Sequence, residues 1–353
     1  MKIIKTLTLF TAVLSLFAFA SCNKKAANTG NVKEDSAEAA APSKEVDITG
    51  KNYKIGIAKI VQHIALDSVE QGIIDVLKEN GVKATYDLQN ANGDPNTAAQ
   101  IAMKYRDEGL DVAVGIATPV ALALANTIKD IPIVFGTVTD PVSAGLVSTL
   151  DHGEGNITGM SDAIPTQQHI LLFKELAGIK TLGYIYTSNE ANSVSSLELV
   201  KNGCQLAGLE LVTQAITNSS EVKQAAEAII SRVDGLYLTT DNTVFSALSS
   251  LIEVFKENKK PIFSGDVTGA QEGGCLIASG FNYYKAGRAT GEMVIRILKG
   301  EKPENIPVRL MTDPSDSDLL FDLDAAKNCG ITIPQAYLDQ ANMIYENGKL
   351  TKK

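Results

Sequence analysis

DVAVGIATPVALALANTIKDIPIVFGTVTDP, residues 111–141, and DGLYLTTDNTVFSALSSLIEVFKENKKPIFSGDVTG, residues 234–269, decide the fold. Each reads as an apolar run, a polar turn, a helical pattern and a second apolar run, with Thr118 falling where Asp241 falls. An upstream pair repeats the arrangement. KIGIAKIVQHIALDSVEQGIIDVLKENG (54–81) lines up with TLGYIYTSNEANSVSSLELVKNGCQLAG (181–208), and the two close on Gly81 and Gly208. Short continuous apolar runs alternating with helical periodicity predict parallel strands covered by helices on both faces. Two such halves predict an α/β molecule of two similar doubly wound parallel-sheet lobes, with the turns after the strands gathered around one shared cleft. That geometry suits the capture of a small molecule.

Working outward, ATYDLQ and IPIVFG complete the strands of the first half, and LELVTQAI, PIFSG and CLIASGF those of the second. PTQQHILLFKELAG, opening at Pro165, begins the second lobe. The amphipathic stretch YYKAGRATGEMVIRILK (283–299) stops at Gly300 and is expected to cross back to the first lobe. The expected division is 53–163 plus about 284–308 for the N-terminal lobe and 164–283 plus about 309–345 for the C-terminal lobe. A helical pattern closes the latter near Tyr337–Tyr345, and 346–353 form a tail.

The N-terminus predicts export. Lys2 and Lys5 precede an apolar run, Leu7 to Ala20, too short for a spanning helix, and FAFASC ends it at Cys22. Residues 1–21 read as a signal peptide and Cys22 as the lipidated residue of a bacterial lipoprotein, although Phe19 stands where such a motif prefers Leu. An ordinary secretory signal ending near a cysteine is the alternative. Residues 22–52 lack the apolar content to fold and read as a disordered tether, roughly 30 Å end to end.

Composition removes several classes of function. The formal charge is −9, or −11 without Lys2 and Lys5, and no basic stripe marks the body, so nucleic acid is not an expected partner. Cys204, Cys275 and Cys329 have no disulfide or zinc spacing and read as small buried packers. His63, His152 and His169 show no metal spacing and read as surface or capping residues. No nucleophile elbow, phosphate loop or paired cysteine appears, so no catalysis, metal or cofactor is expected. Trp is absent and aromatics are 6% of residues, which argues against a ring-stacked sugar; Phe135, Tyr184, Phe245 and Tyr283 read first as core.

The residues to weigh follow each strand: Gln62 and His63, Asn90 to Asp94, Thr118 and Thr137 to Asp140 in the first lobe; Ser188 to Ser193, Asn218 to Ser220, Asp241 to Thr243 and Asp266 to Thr268 in the second. Of these, Gln62, Thr118, Thr139, Asp140, Asn189 to Ser193, Asp241, Asn242 and Asp266 are the chosen candidates. Thr118-Pro119 opens a helix, where free N–H groups and a hydroxyl suit a carboxylate. Asp241 across the cleft suits an ammonium group. The two together fit the ends of an α-amino acid. Both also read as plain helix caps, and turn chemistry alone accounts for polar runs such as Asn189-Glu190-Ala191-Asn192-Ser193.

The blocks QHIALDSVEQGIIDVLKENG, QNANGDPNTAAQIA, DVAVGIATPVALALA, IPIVFGTVTDPVSAGLV, GNITGMSD, YTSNEANS, TTDNTVFSA and GFNYYKAGRATGEM resemble, in order, signatures of the ABC-transporter substrate-binding lipoproteins of the tryptophan/tyrosine-binding type. The resemblance runs from about Tyr53 to Pro334. It implies a type I periplasmic-binding fold with three hinge crossings, no catalysis, and delivery of cargo to a permease driven by an ATPase. It also implies ligand contact at Thr118, Thr139, Asp140, Ser161, Asp162, Asn189, Glu190, Asn192, Ser193, Asp241 and Asn242. The chain departs from the family at Asp322, where members often carry Asn.

The expected function is therefore a monomeric, lipid-anchored binding protein outside the cytoplasm, capturing an aromatic amino acid for an ABC importer. Another small organic or sugar-like cargo, a ligand-sensing module, and a cleft enzyme on the same scaffold are the competing readings.

Overall fold

A computed structural model of the chain describes residues 46–311 and 314–353. The expected signal peptide, Cys22 and the tether up to residue 45 lie outside the described residues. The folded body begins earlier than the sequence predicts, because Ile48 is buried in the first-lobe core.

The first lobe runs β1 (Asn52–Lys59), α1 (Ile64–Glu79), β2 (Lys83–Asn90), α2 (Pro95–Asp107), β3 (Val112–Ile116), α3 (Thr118–Thr127), β4 (Ile133–Val138) and β5 (Ile157–Ser161). The second runs α4 (Thr166–Ala177), β6 (Thr181–Thr187), α5 (Ala191–Ala207), β7 (Glu210–Ile216), α6 (Val222–Ile229), β8 (Gly235–Leu238), α7 (Asn242–Ser246), α8 (Leu248–Glu257), β9 (Ile262–Ser264) and β10 (Ile277–Phe281). The chain continues through α9 (Tyr283–Leu298), β11 (Arg309–Leu310), β12 (Ser317–Asp322), α10 (Leu323–Cys329), α11 (Gln335–Leu338), β13 (Met343–Glu346) and β14 (Lys349–Lys352).

Two sheets result, in the orders β11-β5-β4-β3-β1-β2 and β14-β13-β12-β10-β9-β8-β6-β7. The first five strands of each half fall in equivalent order, and all pair in parallel. Their central strands are continuous apolar runs because helices cover both faces; every residue of β3 and β4 is buried. In the second lobe Leu236 and Leu238 face one core while Tyr237 faces another, the alternation expected of a strand between two layers.

The chain passes between the sheets after β5, after β10 and between β11 and β12. The second passage returns α9 to the first lobe, where it packs on α1 at backbone contact. A Cβ on Gly287 would stand 2.2 Å from the Val69 carbonyl oxygen, and one on Gly72 would stand 2.3 Å from that of Tyr284. Outside this contact Arg288 grips Glu79 with two hydrogen bonds of 2.9 and 2.6 Å, and Tyr284 Oη donates to Asp75 at 3.0 Å.

The C-terminal segment departs from the sequence expectation. The helical pattern near Tyr337–Tyr345 forms only the short α11, and β13 and β14 make a hairpin on the edge of the second sheet, so residues expected as a tail form its turn and last strand. The pattern misled because β13 pairs on one side with β12, a long-range partner that leaves no local periodicity. Residues 309–310, expected in the second lobe, pair with β5 of the first. Asp322 lies at the end of the second sheet opposite the strand-end turns. Its carboxylate caps α10 through Ala325 N (2.8 Å) and holds Gly274 N (2.6 Å). Two backbone donors use both oxygens of a carboxylate, whereas an amide offers one acceptor. Cys204 and Cys275 are buried and Cys329 half-buried, all unpaired.

Replacing Gly287 with Ala forces α1 and α9 apart and is expected to destabilise the protein by about 1–3 kcal/mol. A urea titration should show a lower midpoint at unchanged slope; wild-type stability would contradict the backbone contact.

Candidate functional site

The carboxyl ends of both sheets face a narrow polar cleft. The first lobe contributes His63 just before α1 and Leu66 in it, Thr118 from α3, Thr137 near the end of β4 and Thr139 just after it. The second contributes Asn192 from α5, Thr240 to Asn242 and Phe245 around the start of α7, and Asp266 after β9. Asp162 and Tyr283 enter from two of the passages between lobes. The walls meet: Thr139 Oγ1 lies 3.0 Å from Thr240 Oγ1, and the His63 and Phe245 rings are 6.3 Å apart. The lobes are closed.

The second-lobe wall is a built hydrogen-bond network. Asp241 Oδ2 accepts from Thr187 N and Ser193 Oγ, both at 2.7 Å, and Oδ1 from Thr187 Oγ1 (2.7 Å) and Val244 N (3.0 Å). Behind it Glu190 accepts from Asn242 Nδ2 (2.7 Å), Thr243 N (3.1 Å) and Asn192 Nδ2 (3.3 Å). Burial pushes both carboxyls above their ordinary range, and the charge of Asp241 adds to the rise at Glu190. Four donors on one carboxylate fix the start of α7 and leave Asp241 little capacity for a further partner. Asn192 donates to Thr240 O (3.1 Å) while its Oδ1 is buried without a partner.

The first-lobe wall is set by strained backbone. Ala117 has φ +74° and Thr137 φ +54°. For a residue with a Cβ, and more so a β-branched one, such angles cost on the order of 1–3 kcal/mol each. Ala117 N donates to Gly136 O at 2.9 Å and Thr137 Oγ1 to the same oxygen at 2.7 Å, so the strain docks the start of α3 against the end of β4. It sets the start of α3, whose first-turn N–H groups lack intrahelical acceptors, against the cleft, where Thr118 forms part of the wall.

Between the walls stand two more carboxylates. Asp162 Oδ2 accepts from Tyr283 Oη at 3.1 Å, and Oδ1 is buried without a partner. Asp266 Oδ1 accepts from Thr268 N at 2.6 Å. Burial raises each to about 6, against lowering hydrogen bonds from the Thr139 and Tyr283 hydroxyls at Asp162 and from Thr268 at Asp266, where Asp162 adds to the rise. His63 is driven down to about 4 by burial and is neutral, with Nε2 unpartnered. Among the described residues no Lys or Arg lines the cleft.

Of the residues singled out from sequence, Thr118, Thr139, Asp162, Asn192, Asp241, Asn242 and Asp266 line the cleft. Six do not. Gln62 is exposed, and Asn189 is exposed and donates to Thr217 O. Asp140 caps its own turn at Ser143 N (2.9 Å). Ser161 is spent on Thr139 O and Ala163 N. Glu190 and Ser193 stand behind the wall, holding residues that form it. Conversely His63, Leu66, Thr137, Thr240, Phe245 and Tyr283 also line the cleft; His63 and Thr137 stand among the post-strand residues without being chosen as candidates, and Leu66 and Thr240 were not singled out. His63, read as a surface or capping residue, is half-buried and stands at the N-cap of α1 without a side-chain capping bond, while Phe245 and Tyr283 read first as core. Thr240 stands in the TTD run just after β8, a signal that was available; the positive φ of Thr137 leaves no mark in sequence. His169, expected at the surface or as a cap, is core: Nδ1 lies 3.1 Å from Tyr237 Oη, its ring stacks on Phe263, and burial takes it down to about 3.

Residues 54–344 match the family model described as ABC transporter substrate binding protein. A tyrosine-binding protein of Clostridioides difficile (strain R20291) is 34% identical over 304 residues, 85% of this chain and 87% of that one. Among solved structures, an ABC domain from Streptococcus pneumonia in complex with L-Trp is 35% identical, with a TM-score of 0.79, covering 83% of this chain and 100% of that one. The ligand-free, open structure of CD0873, a substrate binding protein with adhesive properties from Clostridium difficile, is 36% identical with a TM-score of 0.60, covering 80% and 96%. At nearly equal identity, the chain superposes better on the L-Trp complex than on the open form, in keeping with lobes that touch across the cleft. With two doubly wound lobes of equivalent strand order closing on a polar cleft, and a family match over nearly the whole folded body, this chain belongs to the ABC transporter substrate-binding proteins.

Proposed function

We propose that the protein is an exported, lipid-anchored solute-binding protein that closes on an aromatic amino acid and presents it to an ABC permease. One observation carries the ligand class: a single closed cleft holds an unpartnered carboxylate oxygen on Asp162, in the passage after β5, and the start of α3 with Thr118 on the first-lobe wall. A carboxylate partner and a helix N-terminus are the two recognition elements a zwitterion requires. Leu66, Phe245 and the Tyr283 ring add apolar surface for a side chain. The tyrosine-binding relative and the L-Trp complex support an aromatic one.

Within this reading Asp241 positions rather than touches: with four donors already on its carboxylate, it holds the Thr240–Asn242 turn in place. The protein is a binder rather than an enzyme, in line with its family. Export and anchoring rest on the signal and Cys22 in the sequence. No helix among the described residues is long and apolar enough to cross a membrane.

A thermal-shift screen of the amino acids tests the ligand class. A ligand that binds only the folded protein adds about 2.7 kcal/mol at a hundredfold excess over Kd, a rise of several degrees. Tyrosine, tryptophan or phenylalanine is expected to give it; a shift only with sugars or with non-aromatic amino acids would sink the assignment. Thr118→Val removes one donor to a charged group and should weaken calorimetric affinity by about tenfold or more, with an unchanged melting temperature of the ligand-free protein. Unaltered affinity would remove Thr118 from the site.

A further inference from the structure

The cleft carries negative charge that no basic group lining it balances among the described residues. Asp162 and Asp266 are 3% and 2% exposed. The groups around them are Tyr283 from α9, Cys275 ahead of β10, Asp241 with Glu190 on the second-lobe wall, and His63 on the first. Only His63 among these could become a cation, and burial keeps it neutral. Lys59, below the same wall, is held by Asp67 (2.6 Å) and Glu70 (3.3 Å). Asp162 is moreover a residue of the first passage between lobes, tied to the second passage by the Tyr283 hydroxyl. The uncompensated charge therefore sits where the lobes hinge.

We infer that Asp162 and Asp266 make lobe closure conditional on a positive charge in the cleft, so that the protein selects ligands bearing an ammonium group and rejects neutral molecules of the same shape. The inference rests on the proposed function only in naming that cation as the ammonium of an amino acid; the condition on closure holds for any cargo. Opening the lobes returns water to both carboxylates, whereas closing strips it away and leaves each needing a cation or a proton.

The sign follows from burial. Both acids titrate near 6 in the closed form, above their ordinary 3.8. The closed form thus binds protons more tightly than the open one, and acid favours closure without ligand. The gain appears as pH falls through 6 and is complete below about 4, where the open form is protonated too. Between pH 7 and pH 5 the ratio of closed to open protein should rise about tenfold per carboxylate.

Small-angle scattering from the ligand-free protein across pH 7 to pH 5 reads this directly, with no cargo required. Compaction on acidification is expected, and Asp162→Asn with Asp266→Asn should be compact already at pH 7 and insensitive to pH. An unchanged radius of gyration in the wild type over that range would overturn the inference, even if an amino-acid ligand is found. So would acid compaction that persists in the double variant, because the proton would then be acting elsewhere.

Discussion

A carboxylate closed away from water must find a positive partner, and this constraint organises the space between the lobes. Raising an Asp from its ordinary value to about 6 corresponds to a penalty on the order of 3 kcal/mol for each ionised group. Two such groups, Asp162 and Asp266, line one cleft without a basic residue beside them. The sum is comparable to the few kcal/mol that separate the states of a two-state protein. Ligand charge and lobe position are thereby coupled through the same atoms.

The two walls solve the positioning problem differently. In the second lobe, Asp241 and Glu190 draw backbone and side-chain donors from β6, α5 and α7 onto two buried carboxylates, so the Thr240–Asn242 turn is fixed before any ligand arrives. In the first lobe, the unfavourable φ angles of Ala117 and Thr137 are held by hydrogen bonds to one carbonyl, Gly136 O, and by the surrounding buried strands. Strain that survives in a packed core marks a place the rest of the structure over-determines. Beneath both, the glycine contact of α1 with α9 ties a helix that follows the second-lobe strands back to the first lobe, so the passage containing Tyr283 is anchored at its far end.

Much of this was legible in the sequence. The repeated strand–turn–helix units gave both sheets, because parallel strands buried on two faces print unbroken apolar runs. They also gave the cleft, because ligand sites of such sheets lie beyond the strand ends. Thr118, Thr139, Asp241, Asn242, Asn192 and Asp266 follow from that rule, and Asp162 came through family resemblance. The rule does not say which of several turn residues points inward. Asn189 and Asn192 sit three positions apart in one polar run, yet one is exposed and the other buried in the wall. Phe245 and Tyr283 are buried residues that also face the cleft, a distinction hydropathy does not carry. Nor does local pattern reveal that the Asp241 carboxylate is consumed by Thr187 and Ser193, far from it in sequence.

The central claim is that a cation, supplied by the ligand or replaced by protons, is what lets this cleft close. It is tested most directly by calorimetry with an aromatic amino acid that binds and with its des-amino counterpart, at pH 7 and pH 5.5. The account predicts that the des-amino compound binds far more weakly at pH 7 and gains about fourfold or more in affinity at pH 5.5, as protons take the place of the missing ammonium. Equal affinities of the two compounds at pH 7, or a des-amino affinity indifferent to pH, would contradict it.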